Sequence, residues 1–304
     1  MSTILVAGSL NADLVVRAPR FPQPGETISG EDLRVIPGGK GANQAVAAAR
    51  HGSQVSMLGR VGSDDFGDFL LENLKLNGVD SRYVRRDDAS TGTAIIVVDS
   101  SGQNSIVLSP GANGQVSVQD MQDASFSDFK LLLLQLEIPI PAVLAAARRA
   151  RENGLRVILN PAPARDLPEE LIALTDYLIP NETELGLLSG MEVQDISSAE
   201  LAAKSLLERG VGTIIVTLGS KGALIVTANQ VTHVETFKID VVDTTAAGDS
   251  FIGGFAYKLL ESASLRDAVR YGCACGALAA TKFGAQPSLP KKEEVERFMS
   301  LQEA

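Results

Sequence analysis

At 304 residues the chain is about twice the ~150 residues of an average domain, so it makes one large unit or two modest ones around a substantial core. Its 27 basic and 37 acidic residues leave a formal charge of −10 with no basic block, which argues against nucleic acid and anionic membrane as partners. Two cysteines (Cys273, Cys275) and two histidines (His51, His233) supply neither a disulfide framework nor the usual His/Cys zinc set, and they fit a reducing cytoplasm.

Residues 4–8 form a short apolar run closed by glycine, the pattern of a buried parallel strand. Nothing basic precedes it, so it reads as a strand and not a secretory leader. Comparable runs at 55–58, 131–136, 156–160, 177–179 and 213–218 alternate with helical patterns at 41–50, 65–76, 141–152 and 199–208. A glycine closes each of these helices, as a left-handed cap requires. The alternation predicts an α/β protein: a mostly parallel central sheet covered by helices on both faces. No apolar run approaches 18 residues, so no transmembrane helix is expected and the chain is read as cytoplasmic.

Residues 14–36 and 91–108 break this rhythm. The first is rich in Pro and Gly; the second reads as a hairpin, 93–98 and 105–108, around a turn at 100–103. Pattern alone leaves two readings open: ordinary edge strands, or a small antiparallel sheet standing off the body as a lid. With no linker or repeat in view, residues 1–304 are expected to form a single domain into which the two segments are inserted.

The strongest local signal is 243–254, where small residues lead into an apolar helical run reaching Leu260. Thr244 or Thr245 is placed to cap this helix. The free N–H groups of its first turn and the positive end of its dipole make an anion site suited to phosphate. Asp249 repels an anion there unless it has a task, and the task that fits is taking a proton from an attacking hydroxyl. The alternative is an acidic residue that merely favours the helix dipole.

Residues 37–44 open another helix, with glycines that permit close backbone approach and with Lys40 and Asn43 as donors. This is no Walker A loop, because Arg34 stands at its first glycine position and Gly41 follows Lys40. Asn11 and Asp13, Glu137, Asn181 with Glu184, and residues 217–222 each follow an apolar strand. Strand ends of that kind line ligand clefts in α/β sheets, or serve as ordinary solvent-facing loops. The Asp65-Phe66-Gly67 triplet, the sequon at Asn181, the Cys273/Cys275 pair and the Arg85-Arg86 pair are read as incidental.

Taken together, residues 8–13, 38–44, 59–62, 135–137, 217–222, 243–249 and 284–288, with Asn181 and Glu184, resemble the ribokinase-like (PfkB) carbohydrate kinases nearly end to end. The resemblance implies that family's α/β fold with a small β lid. It implies transfer of the γ-phosphoryl of ATP to the 5-hydroxyl of D-ribose, with Mg²⁺ and a monovalent cation, usually K⁺. Asp249 would be the base, with Ala246, Ala247 and Gly248 as a backbone anion hole. The sugar would lie against Asn11, Ala12, Asp13, Gly39, Lys40, Gly41, Ala42, Asn43, Glu137 and Asp249. ATP would fall to Asn181, Thr217, Leu218, Gly219, Ser220, Lys221, Gly222, Gly248, Asp249 and Cys273, with Glu184 organising Mg²⁺ through water. K⁺ would fall to Asp243, Thr245, Ala279, Lys282, Gly284 and Ser288. A homodimer through the lids is implied as well.

Cys273 departs from the His or Asn common near the adenine in this family, and Lys282 from a common Arg. The alternatives are a kinase for another sugar, a sugar acid or a nucleoside, and a non-catalytic sensor. Asn11, Asp13 and Glu137 favour a polyhydroxyl ring, the absence of Trp argues against nucleobase stacking, and a sensor has no use for Asp249.

Overall fold

The structure, a computed structural model, describes residues 3–302. Strand β1 (Ile4–Ala7) leads into a smaller sheet through β2 (Asn11–Arg17) and β3 (Arg34–Gly38). The main sheet continues with β4 (Val55–Gly62) and β5 (Asp80–Asp87), and the smaller one with β6 (Gly92–Val98) and β7 (Asn104–Ser109). The chain then adds β8 (Leu131–Leu134), β9 (Arg156–Leu159), β10 (Tyr177–Leu178), β11 (Thr213–Thr217), β12 (Ala223–Val226) and β13 (Val231–Val234). Between them run α1 (Lys40–Arg50), α2 (Asp65–Leu76), α3 (Val118–Asp123), α4 (Ile140–Glu152), α5 (Glu169–Ala173), α6 (Glu182–Ser189) and α7 (Ile196–Leu207). After β13 come α8 (Ala247–Leu260), α9 (Leu265–Ala280), α10 (Ala285–Ser288) and α11 (Lys292–Gln302).

The main sheet has the order β13-β12-β11-β10-β9-β8-β1-β4-β5, parallel from β11 to β5 and antiparallel only at β12 and β13. Every residue of β1 and β8 is buried, which explains their unbroken apolar runs. Alternate side chains feed two cores. Ile4, Val6, Leu131 and Leu133 pack with α1, α2, α8, α9 and α11, whereas Leu5, Ala7, Leu132 and Leu134 pack with α3 to α7. Each such aliphatic chain contributes about 1.5–3 kcal/mol on burial. Successive strands step from β1 towards β5 and later return on the other side at β8. The crevice at that reversal, outside the carboxyl ends of β1 and β8, is where open α/β sheets bind ligands. No helix among the described residues is long and apolar enough to cross a membrane.

The smaller sheet has the order β3-β2-β6-β7. Its outer pairings, β2/β3 and β6/β7, are antiparallel, but the central β2/β6 pair is parallel. A parallel pair needs a long crossover, and residues 18–91 provide it through α1, β4, α2 and β5. One face, with Val15, Ile36, Ala94 and Ile96, is buried with Val98 and Phe283; Val35, Ile95 and Val107 are exposed.

Several boundaries differ from expectation for visible reasons. β4 runs on to Gly62 because residues 59–62 pair with β5, a charged strand with no apolar run to announce it. α7 begins at Ile196 because the Asp195 side chain caps it, accepting from the Ser198 N–H. Neither Thr244 nor Thr245 caps α8 through its side chain: Ala246 takes the cap position and the Thr245 hydroxyl donates to Asp243 instead. Arg85 pairs with Asp120 and Asp123, and Arg86 with Asp68, so these arginines tie β5 to α3 and α2.

Candidate active site

Two turns meet over the carboxyl ends of β1 and β8. The glycines of residues 38–41 let α1 begin directly on the turn after β1. A Cβ on Gly39, whose φ is +87°, would stand 2.7 Å from the Asn11 nitrogen, and one on Gly41 would stand 2.6 Å from the Ser9 nitrogen. Only glycine allows that approach. Asn11 and Asp13 thereby face the start of α1, both buried.

Hydrogen bonds to neighbouring groups hold these side chains. Asn113, buried in the 3-10 turn 111–115, donates to Asn11 Oδ1 at 2.7 Å and to the Leu10 carbonyl at 3.0 Å. Its own Oδ1 accepts from the Leu10 N–H at 2.9 Å. Glu137 accepts from the Lys40 backbone N–H at 3.0 Å and from the Ser9 hydroxyl. Asp249, in the first turn of α8, accepts from Asn43 Nδ2 at 2.9 Å and from Gln44 Nε2 at 3.0 Å.

Four acids and one lysine share this floor. Burial, reinforced by Glu137 and Asp249, pushes the Asp13 carboxyl up to about 7. Burial also raises Asp249, against the opposing pull of Lys40 and of the Asn43 and Gln44 amides. Glu184 is raised by burial. Burial works against the charge of Lys40, yet Asp249, Glu137 and Glu184 outweigh it and hold the ammonium above the ordinary lysine value. A buried carboxyl whose charge is opposed by burial and drawn by a nearby ammonium, as at Asp249, is an arrangement found at proton-transfer sites.

The N-terminus of α8 supplies the donors. The Ala247 N–H bonds to the Thr244 carbonyl at 3.1 Å, and Ser250 to Ala246 at 2.9 Å. Among the described residues the N–H groups of Ala246, Gly248 and Asp249 have no protein acceptor, and a Cβ at Gly248 would meet nothing within 4 Å. Two of the three expected anion-hole donors are therefore free, while that of Ala247 is engaged.

The opposite wall is more open. Asn181 and Glu184 form a reciprocal capping box on α6, the Asn181 side chain accepting at 2.8 Å and the Glu184 carboxylate at 2.9 Å. Asn181 also bridges to Thr217, which fixes the turn after β11 beside it. In that turn Gly219, Ser220 and Lys221 are exposed, and Lys221 reaches Glu182 at 3.4 Å. Cys273 lies buried in α9, its thiol pushed up to about 12 by burial, so it stays a neutral packing group.

Asp243 joins two distant segments. Its Oδ1 accepts from the Thr245 N–H at 2.9 Å and its Oδ2 from the Gly284 N–H at 2.9 Å. Thr245, Gly284 and the end of α9, where the Ala280 carbonyl accepts from the Asp243 N–H at 3.2 Å, are thus gathered around Asp243, and the ligand atoms on offer are oxygens. An all-oxygen set suits a hard cation. Among the described residues no group of three His, Cys, Asp or Glu stands ready for a metal, so a magnesium ion would take most of its ligands from phosphate and water.

Residues 1–292 match the pfkB family carbohydrate kinases. The chain belongs to that family. It is 43% identical over 300 residues to the ribokinase of Haemophilus influenzae, covering 98% of each chain. It is 40% identical over 305 residues to a deoxyribokinase of Salmonella typhi, covering 99% of each. The solved ribokinase of Arabidopsis thaliana, complexed with ribose and ATP, superposes with a TM-score of 0.90 at 33% identity, over 98% of this chain and 99% of that one. This pfkB carbohydrate kinase has a crevice beside the carboxyl ends of β1 and β8, the position where open α/β sheets bind ligands.

Five buried residues of the pfkB site went unassigned from sequence: Ser9, Asn113, Gln135, Asn160 and Gln44. Gln44 and Gln135 lie inside segments that resemble the family, and Asn160 ends an apolar run, so some signal existed. Asn113 had none, because its partners are 102 and 103 residues away.

Proposed function

We propose that this chain transfers the γ-phosphoryl of ATP to the 5-hydroxyl of D-ribose, giving ribose 5-phosphate and ADP. The observation that carries this reading is Asp249: a buried carboxylate in the first turn of α8, next to free N–H donors and facing Lys40 across the floor. The sugar's 5-oxygen attacks the γ-phosphorus as Asp249 takes its proton. The bond from phosphorus to the β–γ bridging oxygen breaks, and ADP leaves with that electron pair. Positioning and charge stabilisation do most of the work in such a transfer.

Asn11, Asp13, Lys40, Asn43 and Glu137 hold the sugar hydroxyls, with Ala12, Gly39, Gly41 and Ala42 shaping the surface around them. Asn181 and residues 217–222 seat the nucleotide, with Cys273 packed behind. Ala246 and Gly248 offer N–H groups to the transferring phosphate, and Ala247 fixes the turn. Glu184 would orient the water shell of Mg²⁺, which when bound would supply charge neutralisation to the nucleotide's phosphates. Asp243, Thr245, Ala279, Lys282, Gly284 and Ser288 would hold K⁺, which when bound would supply positive charge to the loop before α8. Residues 14–36 and 91–108 act as a lid on the single 1–304 domain. The apolar outer face of that sheet, with Val35, Ile95 and Val107 exposed, pairs with a second copy. The reaction is cytoplasmic, where ATP is available.

The Salmonella typhi relative favours a second sugar, 2-deoxy-D-ribose. An ADP-release assay over D-ribose, 2-deoxy-D-ribose, hexoses and nucleosides separates the readings. Highest kcat/KM on ribose is the expected result; preference for 2-deoxyribose selects the second reading, and turnover only of a hexose or nucleoside overturns both.

A further inference from the structure

Beneath Asp249 lies a chain of buried amides with no assigned part in the reaction. Gln44 is fully buried on α1. Its Nε2 donates to Asp249 Oδ1 at 3.0 Å and to Asn160 Oδ1 at 3.3 Å, and its Oε1 accepts from Gln135 Nε2 at 2.6 Å. Asn160 Nδ2 donates in turn to the Ile179 carbonyl at 3.0 Å. The chain therefore ties the ends of β8, β9 and β10 to the first turn of α8.

Its direction is fixed. A carboxamide has one acceptor end and one donor end. Gln135 occupies the acceptor end of Gln44 and Asn160 shares the donor end, so only the NH₂ group faces the carboxylate. A reversed Gln44 amide would set acceptor against acceptor both at Asp249 and at Asn160, whose own direction is fixed by its bond to the Ile179 carbonyl, and Gln135, its Oε1 unpartnered, would have to turn as well. Asn43 and Gln44 are neighbours on a helix, so their side chains diverge by about 100° and clasp the two Asp249 oxygens from different sides.

We propose that Gln44, locked in one orientation by Gln135 and Asn160, is a positioning residue that fixes the Asp249 carboxylate and keeps it available as a proton acceptor. This rests on the reading of Asp249 as the base. The charged groups facing Asp249 are Lys40 from α1 and the carboxylates of Asp13 from β2, Glu137 beyond β8 and Glu184 from α6. Burial and three acids favour the neutral acid, and one lysine opposes them. Donors on the carboxylate oxygens add to the lysine's side, because a hydrogen bond to the charged form favours it. Removing Gln44 shifts the balance towards protonation, so the acidic limb of turnover moves to higher pH.

The test is the pH dependence of kcat and of the ribose KM in Gln44→Met, which keeps the side chain's length without its amide. We expect kcat to fall about tenfold on the acidic limb and to recover to within about threefold of wild type at high pH, as a pKa raised by about one unit requires. The ribose KM should stay within about threefold. Gln135→Leu, which frees the Gln44 amide without touching Asp249, should move the limb the same way by a smaller amount. An unshifted limb in folded Gln44→Met, or a kcat lowered by one factor at every pH, overturns the proposal. Should Gln44→Met not fold, an unshifted limb in Gln135→Leu does so. Asp249→Asn serves as the control: near-normal turnover there sinks the base assignment itself, whatever Gln44 does.

Discussion

The two walls of the crevice are built differently. On the proposed sugar side, Asn11, Asp13, Asn43 and Asp249 are buried; Asn11 and Asp249 accept side-chain hydrogen bonds from buried amides, and Asn43 donates to Asp249. On the nucleotide side, the turn at 219–221 is exposed, Asn181 and Glu184 hold each other, and much of what is offered is backbone. A wall of fixed side chains discriminates, because a mismatched hydroxyl leaves a buried group unpaired. A wall of backbone and helix dipole grips any phosphate of the right shape.

The contrast can be broken most forcefully at Asp249. Asp249→Asn keeps the shape but loses proton acceptance, and kcat should fall by about 10²–10⁴ with ATP binding retained; steady-state kinetics and nucleotide titration measure both. Next comes Asn113→Leu, which strands Asn11 and both backbone groups of Leu10. An unpaired buried group costs about 1–3 kcal/mol, so the ribose KM should rise about tenfold while the ATP KM moves less than twofold. An equal rise in both would erase the distinction between the walls.

Asp13 adds a pH test. With its carboxyl raised to about 7, it is neutral below that pH and charged above it. Only the charged form accepts hydrogen bonds from sugar hydroxyls at both oxygens, so the ribose KM should fall several-fold from pH 6 to pH 8 and then level off. Asp13→Asn should bind ribose more weakly and without this pH dependence. Folding stability responds in the opposite sense: a raised carboxyl contributes fully below about 4 and loses that contribution as pH rises through 7.

On the nucleotide side, K⁺ should raise turnover several-fold over Na⁺ through fixation of the loop before α8, and Asp243→Asn should flatten the response. Equal rates in K⁺, Na⁺ and a bulky organic cation would leave Asp243 as a structural clamp alone. The smallest effect is expected at Ser220, exposed in the 217–222 turn. Ser220→Ala should change the ATP KM less than twofold.

The fold was legible wherever burial is two-sided. The runs at 4–7, 131–134 and 156–159 could be read as strands because side chains on both faces are buried, so consecutive positions had to be apolar. β5 was not, since an edge strand stabilised by Arg85 and Arg86 ion pairs carries no hydrophobic signature. In the site, Asp249 and the glycines of 38–41 announced themselves by being out of place in their local patterns. Asn113 did not, because its partners are brought to it by the fold from 102 and 103 residues away. The parallel β2/β6 pair was hidden for the same reason: its register spans residues that no local pattern connects.

That pair has a mechanical consequence. Its first rung sets Asn11 beside Gly92, with Gly38 on the other flank of Asn11, and its last sets Arg17 beside Val98. The far end lies about 20 Å away at ~3.3 Å per residue. The rung nearest the body is a fulcrum, and points at a fulcrum move least for a given angle of swing. A tilt of about 10° carries the far end roughly 3–4 Å, taking the lever as ~20 Å, while Asn11 and the Gly38–Lys40 turn stay nearly where they are. The residues proposed to read the sugar therefore occupy the one line of the small sheet that such a tilt would disturb least.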